Sequence, residues 1–287
     1  MSEPAPLAAR ALLLDIAAAG DRLVAVGDHG DIVVSADQGR IWRQSLAPTH
    51  ALLTGVCFAG AKQGWAVGHQ GVILHTSDGG DTWERQDDRK HLDDVHLDVL
   101  FRDEHHGFVV GAYGKFLVTA DGGRSWTAGH PTADEVHYNR ITAGPDGALY
   151  LSGESGTTLI SRDDGATWTK ADVPYDGSLF GVLPLGDGRL LTYGLRGHVL
   201  RSDDRGATWS EVPLGSTVLI MAGRRLADGR TVLAGQGGNF FVSRDGGRSF
   251  TNRRPAEIES SIADLIGTAD GAVVTVGEAG AVRLNLP

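Results

Sequence analysis

The sequence predicts an all-β protein, a seven-bladed β-propeller of four-stranded antiparallel blades. Two motifs that recur together and the absence of helical spacing carry that prediction. The first motif is a glycine pair, as in "VGDHG", "VGHQG", "VGAYG" and "YGLRG". Its first glycines are Gly27, Gly68, Gly111, Gly153, Gly194, Gly235 and Gly277, spaced 41 to 43 residues apart. The second is a box that starts five residues after the pair in the first six repeats: "SADQGRIW", "TSDGGDTW", "TADGGRSW", "SRDDGATW", "SDDRGATW" and "SRDGGRSF". A regular period of this size marks a propeller or a similar array. No segment keeps apolar residues at spacings of three and four over several turns, so helices are expected to be nearly absent.

Each repeat reads as four short strands. In "LLTGVCFAGAKQGWAVGHQGVILHTSDGGDTWERQ" the strands are Leu52 to Phe58, Gly64 to Gly68, Gly71 to Thr76 and Thr82 to Gln86. A turn, the glycine pair and the box separate them, and four such strands make one blade. The stretch "DDRKHLDDVHLDVL" is the one place where a helical turn is expected. Residues 263–287 supply three strands of the last blade, and residues 5–9 are expected to supply its fourth. That pairing would close the ring and remove an open sheet edge. The whole of 1–287 then forms one domain.

The box is expected to be a hairpin clasp between the third and fourth strands. Asp37, Asp78, Asp121, Asp163, Asp204 and Asp245, at its third position, should accept backbone N–H bonds. The glycine two residues later should take the left-handed bend. Trp42, Trp83, Trp126, Trp168, Trp209 and Phe250 should pack between neighbouring blades. A calcium loop is the competing reading, but the boxes lack alternating acidic ligands and a distant glutamate.

Composition bounds the function. The chain has 287 residues with 41% apolar residues and 41 glycines, as expected for a turn-rich globular domain. Lys plus Arg is 26 and Asp plus Glu is 36, a net charge of −10. That excludes a general nucleic-acid binder and an anionic-membrane binder, both of which need a positive surface. Cys57 stands alone, so neither an intrachain disulfide nor a cysteine-based metal site is expected. No apolar run is long enough to span a bilayer, so direct membrane insertion is not expected. The start, "MSEPAPLAAR", lacks the features of a secretory leader, which fits a cytosolic chain or a mature exported one.

At "WAVGHQGVILHTSDGGDTW" and "LVAVGDHGDIVVSADQGRIW" the chain resembles the photosystem II stability/assembly factor family of Asp-box (bacterial neuraminidase repeat) propellers. The likeness runs over the whole chain. It implies seven blades, no cofactor, and a scaffolding role in which a protein partner, a membrane complex or transporter, is recognised. It also implies an exported, periplasmic location. Photosynthetic members carry an arginine patch for the partner; the paired arginines here are Arg224–Arg225 and Arg253–Arg254, and the latter pair is the candidate basic contact. Sialidases share the box, but their Arg-Ile-Pro motif does not occur in this chain. Fold alone does not license that activity.

The glycine turns and the blade-to-blade links should share one face, with the boxes on the other. His29, His69, Tyr113, Glu154, Arg196, Gln236 and Glu278 therefore ring one mouth of the channel as the candidate binding set. The links add His50, His91, His96, His130, His137 and Tyr138. A mixed polar ring of this kind suits a protein or peptide contact, and a solvated rim of turn residues is the plainer reading. The alternative is an enzyme, a propeller lyase or hydrolase that takes a small molecule at the mouth. No catalytic residue and no metal ligand set is assigned.

Overall fold

The computed structural model describes residues 1–86 and 90–286 and contains seven antiparallel sheets around one axis. Blade 1 comprises strands Leu13–Ala19, Arg22–Gly27, Ile32–Ser35 and Arg43–Ser45. Blade 2 comprises Leu53–Ala59, Gln63–Gly68, Ile73–Thr76 and Glu84–Arg85, within two residues of the expected bounds. Blades 3 to 6 repeat the order, with innermost strands His96–Phe101, Tyr138–Ala143, Leu179–Gly186 and Ile220–Arg225. Blade 7 holds Ile262–Gly267, Val273–Gly277 and Val282–Leu284. The first strands of successive blades lie against one another around the axis, the seventh against the first. Helix is confined to four 3-10 turns among the described residues. Lys90–Leu100 contain no helical turn, and 87–89, the rest of that expectation, lie outside the described residues.

Seven apolar clusters fill the seven blade interfaces, one for each neighbouring pair. Every box aromatic packs against the preceding blade: Trp42 on blade 7, Trp83 on blade 1, Trp126 on blade 2 and so on to Phe250 on blade 5. Only Trp83 is buried, at 8% exposure; the other five sit half-buried at the rim of their interface. Trp65, the tryptophan outside the boxes, is fully buried and stacks on Phe101 of blade 3 at 3.5 Å between centroids. A buried tryptophan hides roughly 150–250 Å². The deepest indole anchor therefore lies between blades 2 and 3.

The box forms as its residue types require. The first-position hydroxyl accepts the N–H of the box glycine in all six copies, at 2.8–3.1 Å. The aspartate accepts the N–H four residues on, for example Asp78 from Thr82 at 2.9 Å and Asp204 from Thr208 at 2.8 Å. The box glycines have φ between 81° and 90°. Serine and threonine hydroxyls that donate to Asp121 and Asp204, joined by backbone N–H bonds, hold both carboxyls at about 2, below the usual carboxylate range. The aspartates are thereby used up by the turn.

Closure of the ring differs from the expectation. The last sheet has three strands among the described residues, and residues 5–9 do not join it. They lead into the 3-10 turn Ala8–Arg10 and make one bond to blade 7, from Ala281 N to the Ala9 carbonyl at 2.8 Å. Pro4 and Pro6 have no N–H to offer a ladder, which denies that segment a strand. The segment ties instead to blade 1 and its outgoing link, through Ala5 N to Gln44 Oε1 and Ser2 N to the Ala47 carbonyl, both at 2.7 Å. The seam closes by packing of Val274 and Val276 against Ile16, Ala25 and Val33. Asp270 adds ion pairs at 2.5 Å to Arg40 across the seam and to Arg283 of its own blade.

Candidate functional site

All seven glycine turns are held by one backbone clamp. The N–H of the first turn residue donates to the carbonyl of the residue immediately before the innermost strand of its own blade. The seven donors are Asp28, His69, Ala112, Glu154, Leu195, Gln236 and Glu278, with bonds of 2.9–3.1 Å. The preceding glycine is needed for space rather than for conformation. Gly194 has extended φ of −172°, yet a Cβ there would meet the Ser178 carbonyl oxygen at 2.1 Å. The second glycine presses on the outgoing link: a Cβ on Gly156 would stand 2.0 Å from the Tyr175 carbonyl oxygen. Turns and links therefore share a face. The boxes meet the strand 1–strand 2 turns on the other face, as in the bond from Gln38 to the Asp21 carbonyl at 3.2 Å.

The structure divides the seven predicted mouth residues into two sets. His29, Tyr113 and Arg196 occupy the apex of their turns with φ of 53–55°, alongside Gln70, Ser155 and Gly237 in the other blades. These side chains project outward; that of His29 is 81% exposed and Tyr113 as a residue is 75% exposed. His69, Glu154, Gln236 and Glu278 stand one position earlier. Three of them lean back to accept the N–H that opens their own blade: Glu154 from His137 at 3.2 Å, Gln236 from Leu219 at 3.5 Å and Glu278 from Ser261 at 3.1 Å. That is a strand-capping role. His69 bridges Val95 through its backbone.

The seven do not converge on one point. Tyr113 and Glu154 share a neighbour: the Tyr113 ring meets His137 edge-on at 4.7 Å, and His137 Nδ1 lies 3.7 Å from Glu154 Oε1. Of the link residues, His96 and Tyr138 are buried at 2% and 0% and face the blade interior, contrary to expectation. Arg253 and Arg254 are exposed at the end of blade 6, where Arg254 donates to the Gly237 carbonyl at 3.3 Å. Arg224 of the other pair lies inside the channel. No three His, Cys, Asp or Glu side chains gather as a metal site among the described residues.

The two faces differ in charge. The glycine-turn face carries Glu3, Asp28, Asp31, Asp93, Asp94, Asp134, Glu135, Glu154, Asp172, Asp176, Glu257, Glu259 and Glu278, against Arg10, Lys90, Lys115, Lys170, Arg196, Arg253 and Arg254. On the box face arginines stand beside aspartates, as in Arg22–Asp81, Arg40–Asp270, Arg102–Asp164 and Arg230–Asp228. The acidity of the molecule is therefore concentrated on the turn face.

A second polar cluster, in the channel, escaped the sequence reading. Arg140 of blade 4 reaches across the axis to Asp15 of blade 1 at 3.0 Å and Asp264 of blade 7 at 3.3 Å, with Asp98 of blade 3 at 3.9 Å. Arg224 joins Asp264 at 3.4 Å. The carboxylates also stitch blades together: Asp15 accepts Val56 N at 2.7 Å and Asp98 accepts Ile141 N at 2.9 Å. Three carboxylates face two guanidinium groups. Burial, reinforced by the Asp264 charge, pushes the Asp15 carboxyl well above its usual range, and burial lifts Asp98 to about 6. Against its burial, Arg140 and Arg224 hold Asp264 down at about 2. Above this crossbar a chamber of about 390 Å³ is walled by Ala17, Cys57, Leu100, Leu183 and Ile266. Burial pushes the Cys57 thiol up, so it is not a reactive thiolate.

The family model "Photosynthesis system II assembly factor YCF48" matches residues 34–94 and 88–232. The chain belongs to this family. A curated member, the chloroplastic photosystem II stability/assembly factor HCF136 of Cyanidioschyzon merolae (strain NIES-3377 / 10D), is 36% identical over 81 residues, 26% of this chain and 18% of that protein. This chain thus aligns with under a fifth of that relative's length. Among solved structures, "YCF48 bound to D1 peptide" has a TM-score of 0.79 at 19% identity, over 97% of this chain and 93% of that one. YCF48 from Cyanidioschyzon merolae has 0.77 at 18%, over 96% of both chains. The WD40 propeller of Doa1 has 0.74 at 13%, over 96% of this chain and 92% of that one. At these identities the structures speak for the fold. The non-enzymatic reading accords with a family described as assembly factors, and no helix among the described residues is long and apolar enough to cross a membrane.

Proposed function

We propose that this chain is a non-enzymatic assembly factor that recognises a segment of a membrane-complex subunit through its glycine-turn face. The observation that carries the reading is the pairing of one fixed clamp with changing apexes. Seven turns share the same backbone bond, and the described apexes include histidine, glutamine, tyrosine, serine, arginine and glycine. A rigid frame that displays different side chains suits recognition of an extended partner, because little ordering is left to be done on binding. Arg253 and Arg254 supply a basic edge to the same surface. That a YCF48 structure carries a D1 peptide supports a protein segment as the class of ligand. An exported location fits the same reading.

The test is capture of a subunit from detergent-solubilised membranes of the source organism on the immobilised chain. Tyr113→Ser combined with Arg196→Ser is expected to reduce capture by about tenfold, the loss of one or two anchors. Asp21→Lys with Glu104→Lys, on the box face, should leave it unchanged. Capture that survives the first pair and fails with the second would reject the turn face as the partner surface.

A further inference from the structure

We propose that the cleft beside Tyr113, on the acidic turn face, seats a lysine or arginine side chain of a cationic partner segment. The inference rests on the reading of the turn face as the partner surface and names the chemistry it takes. The cleft, of about 280 Å³, is lined by Tyr113, Phe116, His130, Thr132, Asp134 and Glu135. Phe116, 3% exposed, forms part of its wall. Ala128, Gly129 and Ala133 line it with little side-chain bulk. An aliphatic stem fits along Phe116 and these small residues, while its charged head reaches the carboxylates.

Three observations converge on this cleft. Tyr113 is a large aromatic held in a left-handed turn at φ 55° and left 75% exposed. Other blades place histidine, glutamine, serine, arginine or glycine at that apex, so the turn itself does not call for tyrosine. Its ring packs against His137 in a T-shaped contact, 4.7 Å between centroids, which keeps it standing, and its 75% exposure leaves ring surface open to a cation. Glu135 is exposed at the rim; Asp134 is 64% exposed and its nearest cation, Lys170, stands 3.9 Å away. Lys115, at the edge, is engaged by Asp94 at 2.7 Å. The surplus of carboxylates over the rest of the face matches a cationic segment beyond the one anchored residue, and the complementarity steers its approach.

The probe is a short fluorescein-labelled peptide in which lysines alternate with leucines, together with its glutamate-for-lysine twin. Anisotropy is read on the full chain at low and at physiological salt. The lysine peptide is expected to bind, with affinity falling as salt rises, and the twin is not. Asp134→Lys with Glu135→Lys, and separately Tyr113→Ser, should each weaken binding by about tenfold. Asp21→Lys with Glu104→Lys on the box face should change it by less than about twofold. Equal binding of the twin, or equal loss from the box-face pair, overturns the inference. If the membrane subunit is captured through the turn face while the cleft variants bind the lysine peptide like the wild type, this inference fails alone. If capture maps to the box face, the parent reading fails with it.

Discussion

Asp98 is a carboxyl whose ordinary value of 3.8 rises to about 6 in the folded chain, because burial disfavours its charge. Its contribution to stability is therefore fully present below the unfolded value and is lost as pH rises through the folded one. Asp15 acts in the same direction, whereas Asp121 and Asp204, held at about 2, contribute above the unfolded value and fail only in strong acid. Asp98→Asn removes the first effect. Thermal melts of both proteins should show the variant gaining on the wild type by about 2–5 °C between pH 4 and 7. A difference that stays flat with pH would contradict the assignment; the constant cost of a lost acceptor does not affect the trend. The cluster left a trace in the sequence. Asp15 interrupts an apolar strand, and Asp98 follows it by 83 residues and Asp264 by 249, near multiples of the repeat. What the spacing does not convey is that Arg140 crosses the axis to meet them, since side-chain reach is set by channel width. The two roles within the predicted mouth set were hidden for a related reason. Tyr113 and Glu154 differ by one turn position, which decides between outward display and inward capping.

Each glycine turn is an element whose sequence constraint comes from close approach. Gly194→Ala keeps an allowed extended backbone but drives a methyl onto the Ser178 carbonyl at 2.1 Å. Gly60→Ala meets nothing within 4 Å and bears only the left-handed φ of 79°. Denaturant melts should give about 3 kcal/mol for the first and about 1 kcal/mol for the second. Equal costs would mean that conformation, not space, fixes the glycine pair. At this scale the sequence was most readable. Turn chemistry and box hydrogen bonds are local, so residue order determines them, and strand bounds fell within two residues. The depth of the box indoles was not readable, because it depends on how far each preceding blade overlaps the next.

The whole ring is an array of similar sheets whose interfaces carry the apolar burial, and the charge is set asymmetrically upon it. The blade number followed from the period, since a constant repeat must close on itself or leave an edge. The manner of closure did not follow, because Pro4 and Pro6 remove the donors that a fourth strand in blade 7 would use, and packing across the seam takes its place. With the boxes consumed by their own turns, the face opposite is the one proposed to meet a partner. Hydrogen exchange followed by mass spectrometry, with and without the captured membrane subunit, tests this most directly. Added protection is expected at the turns around Tyr113, Ser155 and Arg196 and at the adjoining links, with the boxes unchanged. Protection of the boxes and the strand 1–strand 2 turns, with the glycine turns unaltered, would contradict it.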